Sequence, residues 1–448
     1  MRRVRRVTTE TNETVKAQPT KAFFVEMLVK DVSLLSAIMD LLDNCVDGAK
    51  RIRGEESFDK LTVQLRVSKD LFEIKDNCGG MDPNLARDYA FMFGRPSNAP
   101  RISSSVGLFG VGMKRAIFKI GRKFEVSSTW VRSKFLVAAD IAEWEADDRE
   151  PWTFPMSISK FDKDTDEADR GTTVRVTEIG EAVAAQFDSQ LFASRLESEI
   201  AARHQVYLER GLNIKVNRRS VVASPPQFAY VYGGSLLPAK QETSYDGVDV
   251  RLFAGVGSSD VDKAGWYVYC NGRLVVKADQ SDLTGWGELG TVRIPKYHHQ
   301  FSRFVGCAFF DSEDARKLPW NTTKDRLDVE SALYRTVKLE MVKLMRPVID
   351  FLNKLDEEME QPDEEKRVLA KLLGRVAYGG AKAELPTSTV FQYVKPLPMP
   401  KQPKTVRIQY DRPIEKVELV KKHLRARSAK EAGEKTFDWY LENECNDD

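Results

Sequence analysis

Asp40, Asn44 and Asp47 recur at i, i+4 and i+7, a spacing that sets all three on one polar face of a helix. An asparagine side-chain oxygen is a hard, neutral ligand suited to Mg²⁺. A carboxylate one turn earlier can orient or deprotonate a water beside a phosphate. A second stretch, Asp76-Asn77-Cys78-Gly79-Gly80-Met81, puts a carboxylate at a strand end, followed by two glycines that let the backbone come close to a flat ligand. Asp76 can there accept a hydrogen bond from an exocyclic amine such as that of adenine. A third, Gly107-Leu108-Phe109-Gly110-Val111-Gly112-Met113-Lys114, stands directly before a helical pattern. Its backbone N–H groups and the helix N-terminus can together hold phosphate oxygens. It is not a Walker A loop, because Met113 occupies the lysine position, nor a GxGxxG loop, because Arg115 stands where the third glycine belongs. Taken singly, a solvated helix face, a hairpin turn and a structural glycine turn would use the same residue types.

The elements that must position these residues are legible from periodicity. Residues 21–53 read as helix, with Leu34, Ile38, Leu41 and Cys45 forming an apolar stripe. LTVQLRV (61–67) and LFEIKD (71–76) read as a hairpin ending at Asp76. PNLARDYAFMFG reads as helix, and RPSNAPRISSSVG, without periodicity, as a mobile loop. Helix after Lys114 and strands FEVSSTW, KFLVAAD and TTVRVTE close a first α/β unit near residue 180. A second α+β unit follows, with a helix near 188–209 and strands GLNIKVN, VDVRLFA, GWYVYCN, RLVVKAD and FVGCAFF. The expected organisation is an N-terminal arm (1–20), a first domain (21–182), a second α+β domain (183–330), a helical segment (331–378), a Pro-rich linker (379–404) and a charged C-terminal appendix (405–448).

A chain of 448 residues suits two or three domains, and 42% hydrophobic with 30% charged residues is a globular composition. No apolar run approaches the roughly 20 residues of a membrane span, and the basic amino terminus is followed by no apolar stretch, so a cytoplasmic location is expected. Five scattered cysteines without CxxC spacing argue for free thiols. Charge is segregated: residues 395–430 hold eleven Lys or Arg against three Asp or Glu, whereas 431–448 hold seven acidic residues against one basic. That basic stretch, with Arg2, Arg3, Arg5 and Arg6, offers a phosphate-neutralising surface to nucleic acid; a solvated linker and tail is the equal alternative.

The order of the motifs resembles one family. LLDNCVDGAK is similar to the first asparagine box of the GHKL ATPases, DNCGGMD to their second box and GLFGVGMK to their lid glycine motif. Gly171-Thr172-Thr173-Val174 looks like the late Gly-Thr motif. The lid segment looks most like those of the MORC ATPases and of the ninety-kilodalton heat-shock chaperones. The resemblance covers roughly residues 20–180 and implies a GHKL (Bergerat) α/β sandwich within an α+β chain, binding ATP with Mg²⁺. It further implies that Asn44 coordinates Mg²⁺, Asp76 binds the adenine amine with Thr172 in support, and Gly110 and Gly112 approach the phosphates. Asp47, Gly80, Met81, Gly107, Val111, Met113 and Lys114 are expected in the nucleotide site with them. Asp40 holds the place where the family usually has the glutamate that activates the attacking water, one methylene longer. Cys78 stands at the family's first glycine, which leaves the tight turn to Gly79 and Gly80.

The segments Trp266–Arg273 and Asn321-Thr322-Thr323-Lys324-Asp325 resemble transducer domains of MORC, MutL and gyrase-type proteins, so the second domain is expected to be transducer-like and Lys324 to reach the terminal phosphate. The function implied is a slow ATPase whose nucleotide orders the 95–107 loop and gates a homodimer. A nucleotide-dependent protein-interaction module without hydrolysis is the alternative that the shorter Asp40 raises. A sensor kinase is disfavoured, because His204, His298, His299 and His423 all lie downstream of the motifs. The amphipathic final segment leaves room for a protein partner.

Overall fold

The computed structural model describes residues 15, 19–54, 57–94, 105–107, 110–146, 151–290, 292–321, 323–363, 367–382, 384–394 and 408–445. The basic arm 2–6, the loop 95–104, Leu108, Phe109, Thr322 and the 395–407 stretch, for which expectations were set, lie outside the described residues. The chain divides into two compact units, residues 1–395 and 396–448.

The first unit opens with two helices, α1 (Lys21–Lys30) and α2 (Leu34–Arg53). The sequence reads as one helix over 21–53, but the chain breaks at 31–33, where Ser33 turns extended and its Oγ accepts from Ser36 N–H at 3.0 Å, capping α2. Then come β1 (Thr62–Ser68), β2 (Leu71–Asp76), the single turn α3 (Pro83–Leu85) continuing as a π-turn to Ala90, α4 (Gly112–Ile120), β3 (Gly121–Thr129), β4 (Ser133–Asp140), α5 (Ile141–Ala146), β5 (Met156–Lys160) and β6 (Gly171–Ile179). After α6 (Glu181–Phe187), α7 (Gln190–Arg203) and α8 (Gln205–Glu209), strands β7 (Asn213–Val216) and β8 (Arg219–Ser220) return to the first sheet. That sheet has eight strands in the order β5-β4-β3-β6-β2-β1-β7-β8, antiparallel except for β1 beside β7. The first sheet therefore does not close near residue 180: a parallel pairing of Thr62–Leu65 with Asn213–Val216 extends it.

Alternation along β1 buries Val63, Leu65 and Val67 and exposes Gln64, Arg66 and Ser68. The buried face carries α2 and α4, whose Ile38, Leu42, Val46, Ile117 and Ile120 are 0–1% exposed. Each such side chain contributes roughly 1.5–3 kcal/mol on burial. The other face is polar, with Glu73 bridging Arg66 at 3.6 Å and Arg175 at 2.8 Å. This is an α/β sandwich of one sheet and one helical layer.

A second, five-stranded sheet runs β11-β12-β15-β13-β14, from β11 (Ala239–Tyr245), β12 (Val248–Val256), β13 (Gly265–Cys270), β14 (Arg273–Asp279) and β15 (Phe304–Asp311). Short pairs join β9 (Phe228–Tyr230) to β16 (Ala377–Gly379) and β10 (Leu236–Leu237) to β17 (Gln392–Tyr393). Helix α9 (Ala332–Met359) lays Val337, Met341, Met345, Val348 and Leu352 on this sheet, and α10 (Val368–Leu373) follows. The first unit is thus α+β, with a GHKL-like α/β layer pair first and a second α+β part after it. The second unit carries α11 (Ile414–Leu424) and α12 (Ala429–Glu444), in which only Ala432 is buried among the described residues. All five cysteines are free thiols, as their spacing suggests. No helix among the described residues is long and apolar enough to cross a membrane.

Candidate functional site

One cavity gathers Asp40, Asn44, Asp47, Asp76, Gly80, Met81, Gly107, Gly110, Val111, Gly112, Met113, Lys114, Thr172 and Lys324, every residue that the sequence nominates. Helix α2 supplies one wall. Asp40 is 2% and Asp47 6% exposed, while Asn44 between them faces solvent and its side-chain amide has no hydrogen-bond partner among the described residues. The three residues that spacing places on one face therefore meet three environments.

Asp76 ends β2. Its Oδ1 accepts from Cys78 N–H at 2.7 Å and Thr172 N–H at 3.3 Å, and its Oδ2 from the Cys45 thiol at 3.5 Å. Burial pushes the Asp76 carboxyl above its ordinary value, opposed by those N–H donors. Burial also pushes the Cys45 and Cys78 thiols well up, so Cys45 stays protonated and remains a donor. Around the carboxylate, the Ser128 hydroxyl lies 3.0 Å from the Thr172 hydroxyl and accepts from Met81 N–H at 2.8 Å. Gly80 adopts φ +67°, and a Cβ there would stand 1.9 Å from the Thr129 carbonyl, so no larger residue fits. The Arg51 guanidinium donates to the Gly80 carbonyl and lies over the Trp130 ring.

The opposite end is built by the N-terminus of α4. Its first-turn N–H groups at Gly112, Met113 and Lys114 have no carbonyl one turn back within the helix. A Cβ on Gly112 would come within 3.1–3.2 Å of the Asp40 side chain, so glycine lets the helix start against that carboxylate. Asp40 Oδ2 pairs with the Arg115 guanidinium; Oδ1 has no hydrogen-bond partner among the described residues, and the Lys324 ammonium stands 3.4 Å away. Lys324 also lies 2.7 Å from Asp43, and burial lowers its pKa to about 8. Lys114 donates to the Ala90 carbonyl at 2.9 Å and to Gly110, and burial lowers its pKa to about 7.

Asp47 is committed to the chain at 105–107. Its carboxylate accepts from the Ser105 hydroxyl, Val106 N–H and Gly107 N–H, each at 2.7 Å. The same segment meets the second sheet: Asn271, in the turn between β13 and β14, donates through Nδ2 to the Ser105 carbonyl at 3.2 Å. The Asn271 carbonyl accepts from Lys50 Nζ at 3.1 Å and the Tyr207 hydroxyl at 2.6 Å.

Sequence reasoning did not single out Asp43, Arg51, Ser105, Arg115, Ser128, His204, Arg273 or Asn271 as site residues. Asp43 lies inside the first motif and Arg115 just after the glycine stretch. Charges flanked by Leu41, Leu42, Cys45 and Ala116, all of which the fold buries, are the signal that was available.

The cavity therefore has a carboxylate end with a flat glycine floor and a helix-N-terminal end with two lysines, the chemistry of a base at one end and phosphates at the other. Residues 32–172 match the family described as histidine kinase-, DNA gyrase B-, and HSP90-like ATPase, a span that runs through the cavity residues from Asp40 to Thr172 and leaves Lys324 outside it. No curated protein matches the chain. Over residues 32–172 the chain carries an ATPase domain of this GHKL superfamily.

Proposed function

We propose that the chain binds ATP with Mg²⁺ in this cavity and hydrolyses it slowly, using the nucleotide as a conformational switch. The observation that carries the reading is the convergence of Asp40, Asn44, Asp76, the α4 N-terminus and Lys324 on one cavity. Asp76 takes the adenine amine, with Thr172 and Ser128 fixing its geometry. The N–H groups of Gly112, Met113 and Lys114 receive phosphate oxygens, which the helix dipole favours. Asn44, whose side-chain amide has no partner among the described residues, would hold Mg²⁺, and the ion would supply neutralisation of phosphate charge.

Asp40 is the base. Its free Oδ1 accepts a proton from a water whose oxygen bonds to the γ-phosphorus while the bond from that phosphorus to the β–γ bridging oxygen breaks, releasing ADP and phosphate. Arg115 keeps the carboxylate oriented, and Lys324 adds positive charge where the transferred group gathers negative charge. Asp47 serves the nucleotide indirectly by tying down the 105–107 segment.

We assign 21–182 to the nucleotide-binding domain, its sheet completed by Asn213–Ser220, 183–330 to a transducer-like domain, 331–378 to a helical segment, 379–404 to a Pro-rich linker whose first part, to Tyr393, packs on the first unit, 405–448 to a charged appendix and 1–20 to an arm that crosses to a second copy. ATP-gated homodimerisation and a clamp or remodelling action follow from this reading, with nucleic acid meeting the basic segments 2–6 and 395–430 and a cytoplasmic location. A second reading, a nucleotide-dependent interaction module without turnover, draws support from Asp40 being paired with Arg115 and faced by Lys324. Phosphate release and direct ATP binding, measured for wild type, Asp40→Ala and Asp76→Asn, separate the two. The enzyme reading expects turnover in wild type, binding without turnover in Asp40→Ala, and loss of binding in Asp76→Asn by roughly 10- to 100-fold, the worth of a hydrogen bond to a charged group. Binding without turnover in wild type leaves the module; no binding at all defeats both.

A further inference from the structure

Asp43 does not line the cavity, yet it holds a residue that does. It is 0% exposed, and three residues from separate segments converge on its carboxylate. His204, between α7 and α8, lies 3.1 Å from Oδ1; Arg273, at the start of β14, pairs with Oδ2; Lys324, beyond β15, stands 2.7 Å from Oδ2. Burial lowers the His204 imidazole to about 3, so it is neutral and donates through Nε2. Asp43 thus keeps Arg273 and His204 as fixed partners, both fully buried, while the ammonium it shares reaches into the cavity.

Two carboxylates, Asp40 and Asp43, face three cations, Arg115, Arg273 and Lys324, among the described residues. Lys324 sits nearer Asp43, at 2.7 Å, than Asp40, at 3.4 Å. Without Asp43, a side chain on a flexible four-carbon stem would close onto its one remaining carboxylate, the free Oδ1 of Asp40, and occupy the lone pairs that a water needs. Resting on the reading of Asp40 as base and Lys324 as phosphate-facing cation, we propose that Asp43 is a positioning residue for hydrolysis. Anchored by Arg273 and His204, it holds the Lys324 ammonium beside Asp40 without letting it seal that carboxylate.

The single variant Asp43→Asn leaves the buried Arg273 without its contacting carboxylate, with only Asp40 and Asp325 acting on it from further off, and will lose stability for that reason alone. The test therefore pairs it with Asp43→Asn/Arg273→Met, which removes both buried charges at similar volume, and with His204→Leu, which keeps both charges and removes one bond to the carboxylate. For each, the melting temperature, ATP affinity and single-turnover rate are measured beside Lys324→Met. The double variant is expected to recover the melting temperature that Asp43→Asn loses and to bind ATP within about threefold of wild type, but to turn over about 10- to 100-fold more slowly, the cost of a misplaced group. His204→Leu is expected to slow turnover in the same direction, with affinity unchanged. A double variant whose turnover recovers along with its stability would overturn the proposal, as would unaltered turnover in His204→Leu should neither Asp43 variant fold. Wild-type turnover in Lys324→Met would instead remove the underlying role of Lys324, which keeps the two failures apart.

Discussion

At the scale of single residues, the cavity keeps two ammonium groups poorly solvated near neutrality, Lys324 at about 8 and Lys114 at about 7. Burial is the leading cause for both, and it works against the charged form. An incoming triphosphate favours that charged form, so it raises both values, and binding must then draw protons from solution at any pH between the free and bound values. Below about pH 6 both groups are already charged, and uptake vanishes; near pH 8 Lys324 is half charged and Lys114 mostly neutral, so both contribute. Titration calorimetry in two buffers of different ionisation heat should show proton uptake at pH 8. ATP affinity should weaken as pH rises from 7.5 to 9, by up to about tenfold per unit for each lysine that must be protonated. Lys324→Met should reduce the uptake at pH 8 and leave the part that belongs to Lys114. Heats independent of buffer across this range would show that neither ammonium meets the phosphates.

At the scale of elements, the segment 105–107 is held to α2 by a single carboxylate. An asparagine at position 47 keeps one accepting oxygen and turns an amide donor toward donors, so Asp47→Asn should free Val106 and Gly107 at about 1.5–3 kcal/mol for each charge-assisted bond removed. Amide exchange at those two positions should accelerate while exchange in β2 and β6 does not; uniform acceleration would mean that the substitution unfolds the domain instead. Local periodicity made the end of α2 and the β1–β2 hairpin legible almost to the residue, because their apolar positions answer to one buried face. The same periodicity grouped Asp40, Asn44 and Asp47, which line one cavity, and said nothing of their separate surroundings, which depend on partners as distant in sequence as Lys324 is from Asp40. The parallel joining of β7 to β1 was hidden for the same reason: strand character is local, but pairing across roughly 150 residues leaves no local mark. The break before Ser33 carried a signal, a serine ahead of an apolar run, which the uninterrupted helical pattern on either side outweighed.

At the scale of the whole chain, the two compact units differ in how they are held together. The buried clusters of the first run through both sheets and α9 and reach no further than Tyr393, so residues 1–395 carry their own core. Among its described residues the second unit buries only Ala432 and leaves Ile414, Leu419, Phe437, Trp439, Tyr440 and Leu441 at 49–76% exposure, a helical hairpin too thinly cored to lend much stability. A chain ending at Lys395 should therefore melt within about 2 °C of the full chain, since less than about 0.5 kcal/mol is expected from so little burial, and it should bind ATP with unchanged affinity. If the segment 395–430 meets nucleic acid, the same truncation removes ten of its eleven basic residues. The slope of log affinity against log salt should then become shallower by about 0.9 for each duplex phosphate that those residues neutralise. Equal slopes for full and truncated chains would move any nucleic-acid surface into the first unit. A large fall in melting temperature would show instead that the hairpin's apolar side chains are buried in the folded protein in solution.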